Sequence, residues 1–246
     1  DSATGALAGL DQLNPEQIQQ LKTTAALFPD ALVDSELGEV PEGWEVKTLD
    51  DVTSIIIDHR GKTPKKLGGD WVEEGHSAVS AKNIKGGRIT RHDTIRFLDD
   101  EIYSKWMKVE IEKGDILLTS EAPMGEMYFI TDETKYCLSQ RLYALRADNE
   151  NVTPSFLYLW LQTSIAQADL EGRATGTTVV GIRQVELRKV NSLVPSIEIL
   201  KNFEKSILPV FEKLNAGELE SQRLICLRDE LLPKLLSGEL SVGSAA

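Results

Sequence analysis

A chain of 246 residues, 41% apolar and 27% charged, is long enough for a buried core and has an ordinary globular composition. No apolar run reaches the roughly 18 residues needed to cross a membrane, and no basic-then-apolar leader opens the sequence. A net charge of -12 argues against a body that grips nucleic acid by bulk charge alone.

The charge is unevenly placed. Residues 1–40 hold seven acids and one Lys, whereas His59 to Arg96 holds nine Lys or Arg, all three His and four acids. Residues 97–139 turn acidic again, with ten acids and four Lys. The middle block suits a polyanion-facing loop region on an acidic body, and equally a solvated basic loop. Cys137 and Cys226 are far apart and outside any CxxC spacing, so reduced thiols are expected and zinc is not.

In chain order, residues 1–40 read as an arm. Asn14-Pro15-Glu16 opens a short helix with a cap and Pro at the first helical position, and Ile18, Leu21 and Ala25 form a narrow stripe. Pro29, Gly38 and Pro41 follow, and the compact domain is expected to start near Pro41. Strands are predicted at Trp44–Leu49, Val52–Ile57, Ser77–Ser80, Ile95–Leu98, Asp115–Thr119, Met127–Thr131, Arg141–Arg146 and Val190–Val194. Two helices interrupt them. One lies near Asp100–Lys108, with Asp99 or Asp100 as cap; the other runs from Pro154 to about Leu170, with Phe156, Leu157, Trp160, Leu161 and Ile165 buried. Without βαβ periodicity this is an α/β domain of the α+β-like, mixed-sheet kind, over residues 41–195.

After Pro195 the pattern becomes helical, over about 196–242. Phe203, Ile207, Val210, Leu214, Leu224, Leu231 and Leu235 fall on one stripe, broken by Gly217, Ser221 and Arg228. Some 35 helical residues would extend roughly 50 Å. Pro209 is expected to end or kink a first piece and Pro233 to kink the last turns, with Gly238 as the stop and 242–246 as a frayed tail.

Catalytic motifs do not assemble. Gly61-Lys62-Thr63 resembles the end of a P-loop, but Ile56 stands where a Gly is required and Pro64 would obstruct the helix. There is no GxGxxG after a strand, no HExxH and no GxSxG, and His59, His76 and His92 are spaced too widely for a metal motif. Pro29-Asp30 lacks the downstream carboxylate-Lys pair of a nuclease.

Five loops instead carry side chains suited to base edges or phosphates. Arg60, Lys62, Thr63, Lys65 and Lys66 share one; Ser80, Lys82, Asn83, Lys85 and Arg88 share the next. Thr119, Ser120 and Glu121 end a strand, and Gln140 and Arg141 begin another. The fifth, Gly172 to Thr178, offers Arg173, Thr175, Thr177 and Thr178, with Arg183 and Gln184 beyond. Arg can hold guanine bidentately, Asn and Gln adenine, and Glu can accept from cytosine; Lys and Thr more often hold phosphate. Two readings stay open on residues alone: a DNA sequence reader without catalytic groups, and a protein-interaction or assembly scaffold.

Three stretches resemble the specificity (S) subunits of type I restriction–modification systems. Leu27-Phe28-Pro29-Asp30 with Ser35 to Val46 is similar to the entry into a target recognition domain. Gly114 to Thr119, continuing through Ala122-Pro123-Met124-Gly125, is similar to a strand and turn of that domain. Leu227 to Leu240 resembles the end of a conserved helical region. The resemblance implies that 41–195 reads one half of a split site in double-stranded DNA. It implies that 196–242 is a spacer helix forming an antiparallel coiled coil and docking methyltransferase subunits. Those partners would bring S-adenosylmethionine chemistry, and a restriction and translocation subunit would act further out; the chain itself would be a cytoplasmic non-enzyme without metal or cofactor. Most members carry two recognition domains and two helical regions. One of each suggests a C-terminal half or a half-subunit, whose helix pairs in a homodimer or with the other half.

Overall fold

The computed structural model describes residues 14–240; the expected tail at 242–246 lies outside them. Helix α1 (Pro15–Ala25) starts at Asn14, whose side chain accepts from the Gln17 amide at 2.9 Å while the Gln17 side chain accepts from the Asn14 amide at 2.9 Å. That reciprocal cap satisfies two otherwise unpaired N–H groups. The segment read as an arm then forms a hairpin, β1 (Leu32–Ser35) with β2 (Gly38–Pro41). Gly38 turns the chain at φ 91, where a Cβ is disfavoured.

Next come β3 (Glu45–Thr48), a helical turn α2 (Leu49–Val52) and β4 (Thr53–Ile57). The sequence pattern predicts Val52 in a strand. The Asp51 carboxylate instead accepts from the Thr48 amide at 3.0 Å and its hydroxyl at 2.6 Å, winding the chain into a turn first. Then follow β5 (His76–Val79), the small hairpin β6 (Ile84–Lys85) and β7 (Arg88–Ile89), and β8 (Arg96–Leu98). Asp99 caps α3 (Asp100–Trp106), accepting from the Ile102 amide at 2.8 Å. The central strands are β9 (Ile116–Ser120), β10 (Met124–Phe129), β11 (Cys137–Leu138) and β12 (Leu142–Ala147).

The helix predicted from Pro154 to about Leu170 is two helices, α4 (Pro154–Leu161) and α5 (Ser164–Gly172). Thr163 makes the break: its hydroxyl donates to the Trp160 carbonyl at 2.7 Å and caps the next helix by accepting from the Ala166 amide at 3.3 Å. Leu157, Trp160 and Leu161 are buried, and Phe156 packs edge-on against Phe203. Ile165 is exposed, because the break changes the phase of the following turns. The turn α6 (Gln184–Leu187), β13 (Asn191–Val194) and the long helix α7 (Ile197–Leu236) complete the order.

The principal sheet is antiparallel in the order β10-β9-β12-β4. A second sheet, β11-β5-β8, is mixed, since β11 runs parallel to β5 and β8 antiparallel. Strand β9 is buried at every residue, as expected of a central strand with both faces covered. Trp106 lies in the core and donates its indole N–H to the Leu138 carbonyl at 3.0 Å, tying α3 to the second sheet. Full burial of each large core side chain contributes roughly 1.5–3 kcal/mol. The described chain divides into two compact units, one ending at Glu204 and the other starting at Lys205. Helix α7 runs unbroken through Pro209, Gly217 and Pro233. The expected stop at Pro209 therefore does not occur; a helix tolerates the loss of one i→i−4 bond when its neighbouring turns hold.

Candidate nucleic-acid interface

Four of the five polar loops are stitched side by side through their backbones. The Val79 carbonyl accepts from the Ser139 amide at 2.8 Å, and the Ala81 amide donates to the Gln140 carbonyl at 3.1 Å, joining the end of β5 to the approach of β12. The Arg141 carbonyl accepts from the Ser120 amide at 2.8 Å, and the Ser120 carbonyl accepts from the Ile182 amide at 2.9 Å. Thr175 and Gly181 exchange both amide bonds, at 2.8 and 3.0 Å, closing the 176–180 tip. The loop of residues 60–66 joins through a side chain: the Arg60 guanidinium lies 4.1 Å over the buried Tyr143 ring. One rim therefore brings together residues 60, 80–82, 120–121, 140–141 and 175–183, with Ala81, Ser120 and Ile182 buried beneath it.

The 80–82 and 140–141 parts of the rim border a cleft of about 180 Å³ lined by Trp71, Ser80, Lys82, Arg96, Gln140 and Arg141 among others. Arg96 stacks 4.0 Å over Trp71, an arrangement that holds a guanidinium flat while leaving its edge polar. Arg60 is bound bidentately by Asp58 at 2.9 and 2.8 Å, and that hydrogen bonding raises its pKa, so its charge is fixed. Burial pushes the Tyr143 hydroxyl up to about 12, keeping the ring beneath Arg60 neutral. Arg141 sits at φ 63 and its Nε meets Glu121 Oε1 at 3.0 Å.

Several sequence-predicted residues take other parts. Asn83 is 0% exposed. Its oxygen accepts from the Ser80 amide and hydroxyl at 3.1 and 2.8 Å, and its Nδ2 faces the Thr90 and Arg91 carbonyls and Thr94 Oγ1 at 3.0–3.3 Å. With every amide position engaged it has no edge left for adenine. Thr119 is likewise buried, its hydroxyl accepting from the Glu126 amide at 2.9 Å. Lys62 donates to the Trp106 carbonyl, and burial lowers its pKa. Lys66 donates to the Gly61 carbonyl at 2.7 Å, and Thr63 caps the turn Pro64–Leu67 that presents Lys65 outward. Arg173 pairs with Asp169 at 2.7 Å. Arg88 sits on the β6–β7 hairpin, whose Gly86 amide donates to Glu126 Oε2 at 2.7 Å. Thr175, Thr177, Thr178 and Arg183 are exposed on the last loop.

Sequence reasoning passes over Trp71, Arg96 and Tyr143. Arg96 closes the basic block, and a Trp in a polar loop is its visible companion; the bed that Tyr143 makes for Arg60 needs the pairing of β12 with β4. Along α7, Val210, Leu214, Leu224 and Leu235 are exposed, and Phe203, Ile207 and Leu231 are partly covered. Among the described residues no helix is long and apolar enough to cross a membrane.

The family described as "Type I restriction modification DNA specificity domain" matches residues 41–227. The chain belongs to this family. The type I restriction enzyme HindI specificity subunit of Haemophilus influenzae is 28% identical over 240 residues, covering 95% of this chain and 51% of the relative. The MjaVIII specificity subunit of Methanocaldococcus jannaschii is 23% identical over 240 residues, covering 95% and 55%. The chain thus spans about half the length of the curated relatives it matches. In three dimensions it is similar to the crystal structure of the type I restriction-modification S subunit from M. genitalium, with a TM-score of 0.52 and 19% identity over 79% of this chain and 46% of that one. A chain described under complex assembly and conformational transition of the type I R-M system gives a TM-score of 0.50 and 17% identity over 89% and 49%. At these identities the likeness is one of fold: mixed sheets followed by a long helix.

Proposed function

We propose that residues 41–195 read one half of a bipartite site in double-stranded DNA, and that the chain is a non-catalytic, cytoplasmic sequence-recognition subunit. The observation that carries this reading is the stitched rim, which gathers Lys82, Arg96, Gln140 and Arg141 around one cleft, with Glu121 paired to Arg141, in a chain of the DNA specificity family. Separate surface residues would not need a shared backbone frame; a base reader does, because discrimination depends on donors and acceptors held in register. Base contacts fall to Arg141, Gln140 and Glu121, and phosphate contacts to Lys65, Lys82, Arg88, Arg183 and the threonines of 175–178.

Helix α7 is proposed to pair antiparallel with a second helix, from another copy or from the other half of a longer subunit, and to dock methyltransferase subunits. Val210, Leu214, Leu224 and Leu235 offer a seam of exposed apolar side chains, which is costly to leave in water. Forty helical residues span about 60 Å, roughly 17 base steps at 3.4 Å each, which bounds the spacing of two half-sites. Methylation would lie in the docked partners, and cleavage in a further restriction subunit. Co-purifying the chain with methyltransferase subunits and mapping modified bases tests the reading. A recurrent sequence motif supports it; a stable complex with no DNA preference supports the scaffold instead.

A further inference from the structure

Resting on the reading just given, we propose that Arg141 and Glu121 form one read-head for a single G·C pair, Arg141 gripping guanine and Glu121 accepting from its cytosine. The geometry is specific. Arg141 holds a left-handed backbone at φ 63, and its carbonyl is tied to the Ser120 amide at 2.8 Å, so its side chain rises beside Glu121. Their ion pair, Nε to Oε1 at 3.0 Å, uses the side of the guanidinium. The end-on pair of Nη groups is the fork that matches two adjacent acceptors. Both side chains remain partly open to solvent, 47% and 37% exposed.

Glu121 is seated deliberately. The bridge from Glu121 to Gly181 lays the last loop directly against it, and a Cβ at 181 would stand 2.9 Å from Glu121 Cβ and 2.9 Å from the Ser120 carbonyl. Only glycine permits that approach. The carboxylate also lies near enough to Arg60 to help hold its charge. A surface meant only for phosphate gains nothing from an acid paired with its arginine, since it repels the backbone it should attract. An acid there does have a use against an exocyclic amine. In the major groove, guanine offers N7 and O6 side by side and the paired cytosine offers its N4 amine next to them. That order of two acceptors and then one donor is the complement of an Arg fork followed by a carboxylate. In an A·T pair the donor lies between two acceptors, so an Arg fork on the purine would face the adenine amine.

The test uses the full chain reconstituted with its methyltransferase subunits, comparing modified-base maps and duplex binding for wild type, Arg141→Lys, Arg141→Gln, Glu121→Gln and the Arg141→Gln/Glu121→Gln double variant. Each variant is first checked for an unchanged melting temperature. The expected result is that Arg141→Gln and Glu121→Gln relax the same G·C position, with binding to the intact site falling about 5- to 150-fold and all other positions kept. The double variant should depart from the sum of the two single losses, because the two side chains are in contact. Arg141→Lys, which keeps charge but not the fork, should relax it too. Uniform weakening on every sequence by the Arg141 variants, uniform tightening by Glu121→Gln, or relaxation at two different positions would each overturn the read-head while leaving the recognition role intact. Absence of any motif in the wild-type map would overturn both.

Discussion

Replacing Asn83 with Ala separates framework from reading. The amide is fully buried, with one oxygen accepting two bonds from Ser80 and one NH2 group serving the 90–94 turn. Its two N–H groups and two acceptor positions make at most four bonds. At about 1 kcal/mol net each, their removal costs about 4 kcal/mol. Counting instead two buried partners left unsatisfied, at about 1–3 kcal/mol each, gives the same range. For a domain of this size each kcal/mol moves the midpoint by about 2–4 °C, so a fall of about 10 °C is expected in a thermal melt. Asn83→Asp keeps the acceptor but sets a carboxylate against the Thr90 and Arg91 carbonyls, and should melt as low. At a temperature where the variants stay folded, the methylated sequence should not change. A variant that melts like wild type yet alters the motif would refute the structural role and restore Asn83 as a base reader.

Asp115→Ala strips the buried partner from Arg146, which it binds at 2.8 and 2.9 Å, and is expected to lower stability by about 3 kcal/mol in urea unfolding; a change under about 1 kcal/mol would refute a structural role for the pair. Burial pushes the Cys137 thiol and the Tyr103 and Tyr143 hydroxyls up to about 12. Groups with raised folded-state pKa values contribute stability below their unfolded values, so stability should hold to about pH 8 and fall as pH rises toward 12. By the same burial, iodoacetamide at pH 8 should label the exposed Cys226 and spare Cys137, and two labels on the native chain would contradict the packing. Lys65→Ala with Lys82→Ala should weaken DNA binding on all sequences alike and flatten its salt dependence by about 0.9 in log–log slope for each phosphate no longer neutralised; a changed sequence preference would refute that assignment. Leu214→Asp with Leu224→Asp should abolish helix pairing in sedimentation, and a variant that keeps the mass of an associating wild type would refute the seam.

The elements legible in the sequence are those with local signatures: the Asn14 cap, the Asp99 cap, the run of β9 and the helix after Pro195. Boundaries fail where one side chain redirects the backbone. Asp51 winds a turn out of an expected strand, and Thr163 cuts one helix into two. Pro209 does not end the helix, because the turns around it hold without its one missing bond. The loops that form the rim are recognisable by residue type, and four of them do lie together. What type cannot reveal is direction. Asn83 and Thr119 carry groups suited to base edges, yet the 80–94 turn folds around Asn83, and the pairing of β9 with the distant β12 turns Thr119 inward. Tyr143 beneath Arg60 is hidden for the same reason, since both positions read as ordinary strand and loop until β12 is set beside β4.

The division of labour between reader and spacer is tested most directly by grafting. Residues 41–195 would be replaced by the corresponding region of a specificity subunit with a different motif, leaving α7 untouched, and modified bases mapped in the reconstituted complex. The bases of the half-site should change to those of the donor while the distance between half-sites stays the same. An unchanged motif, or a changed spacing with the original bases, would contradict that division of labour.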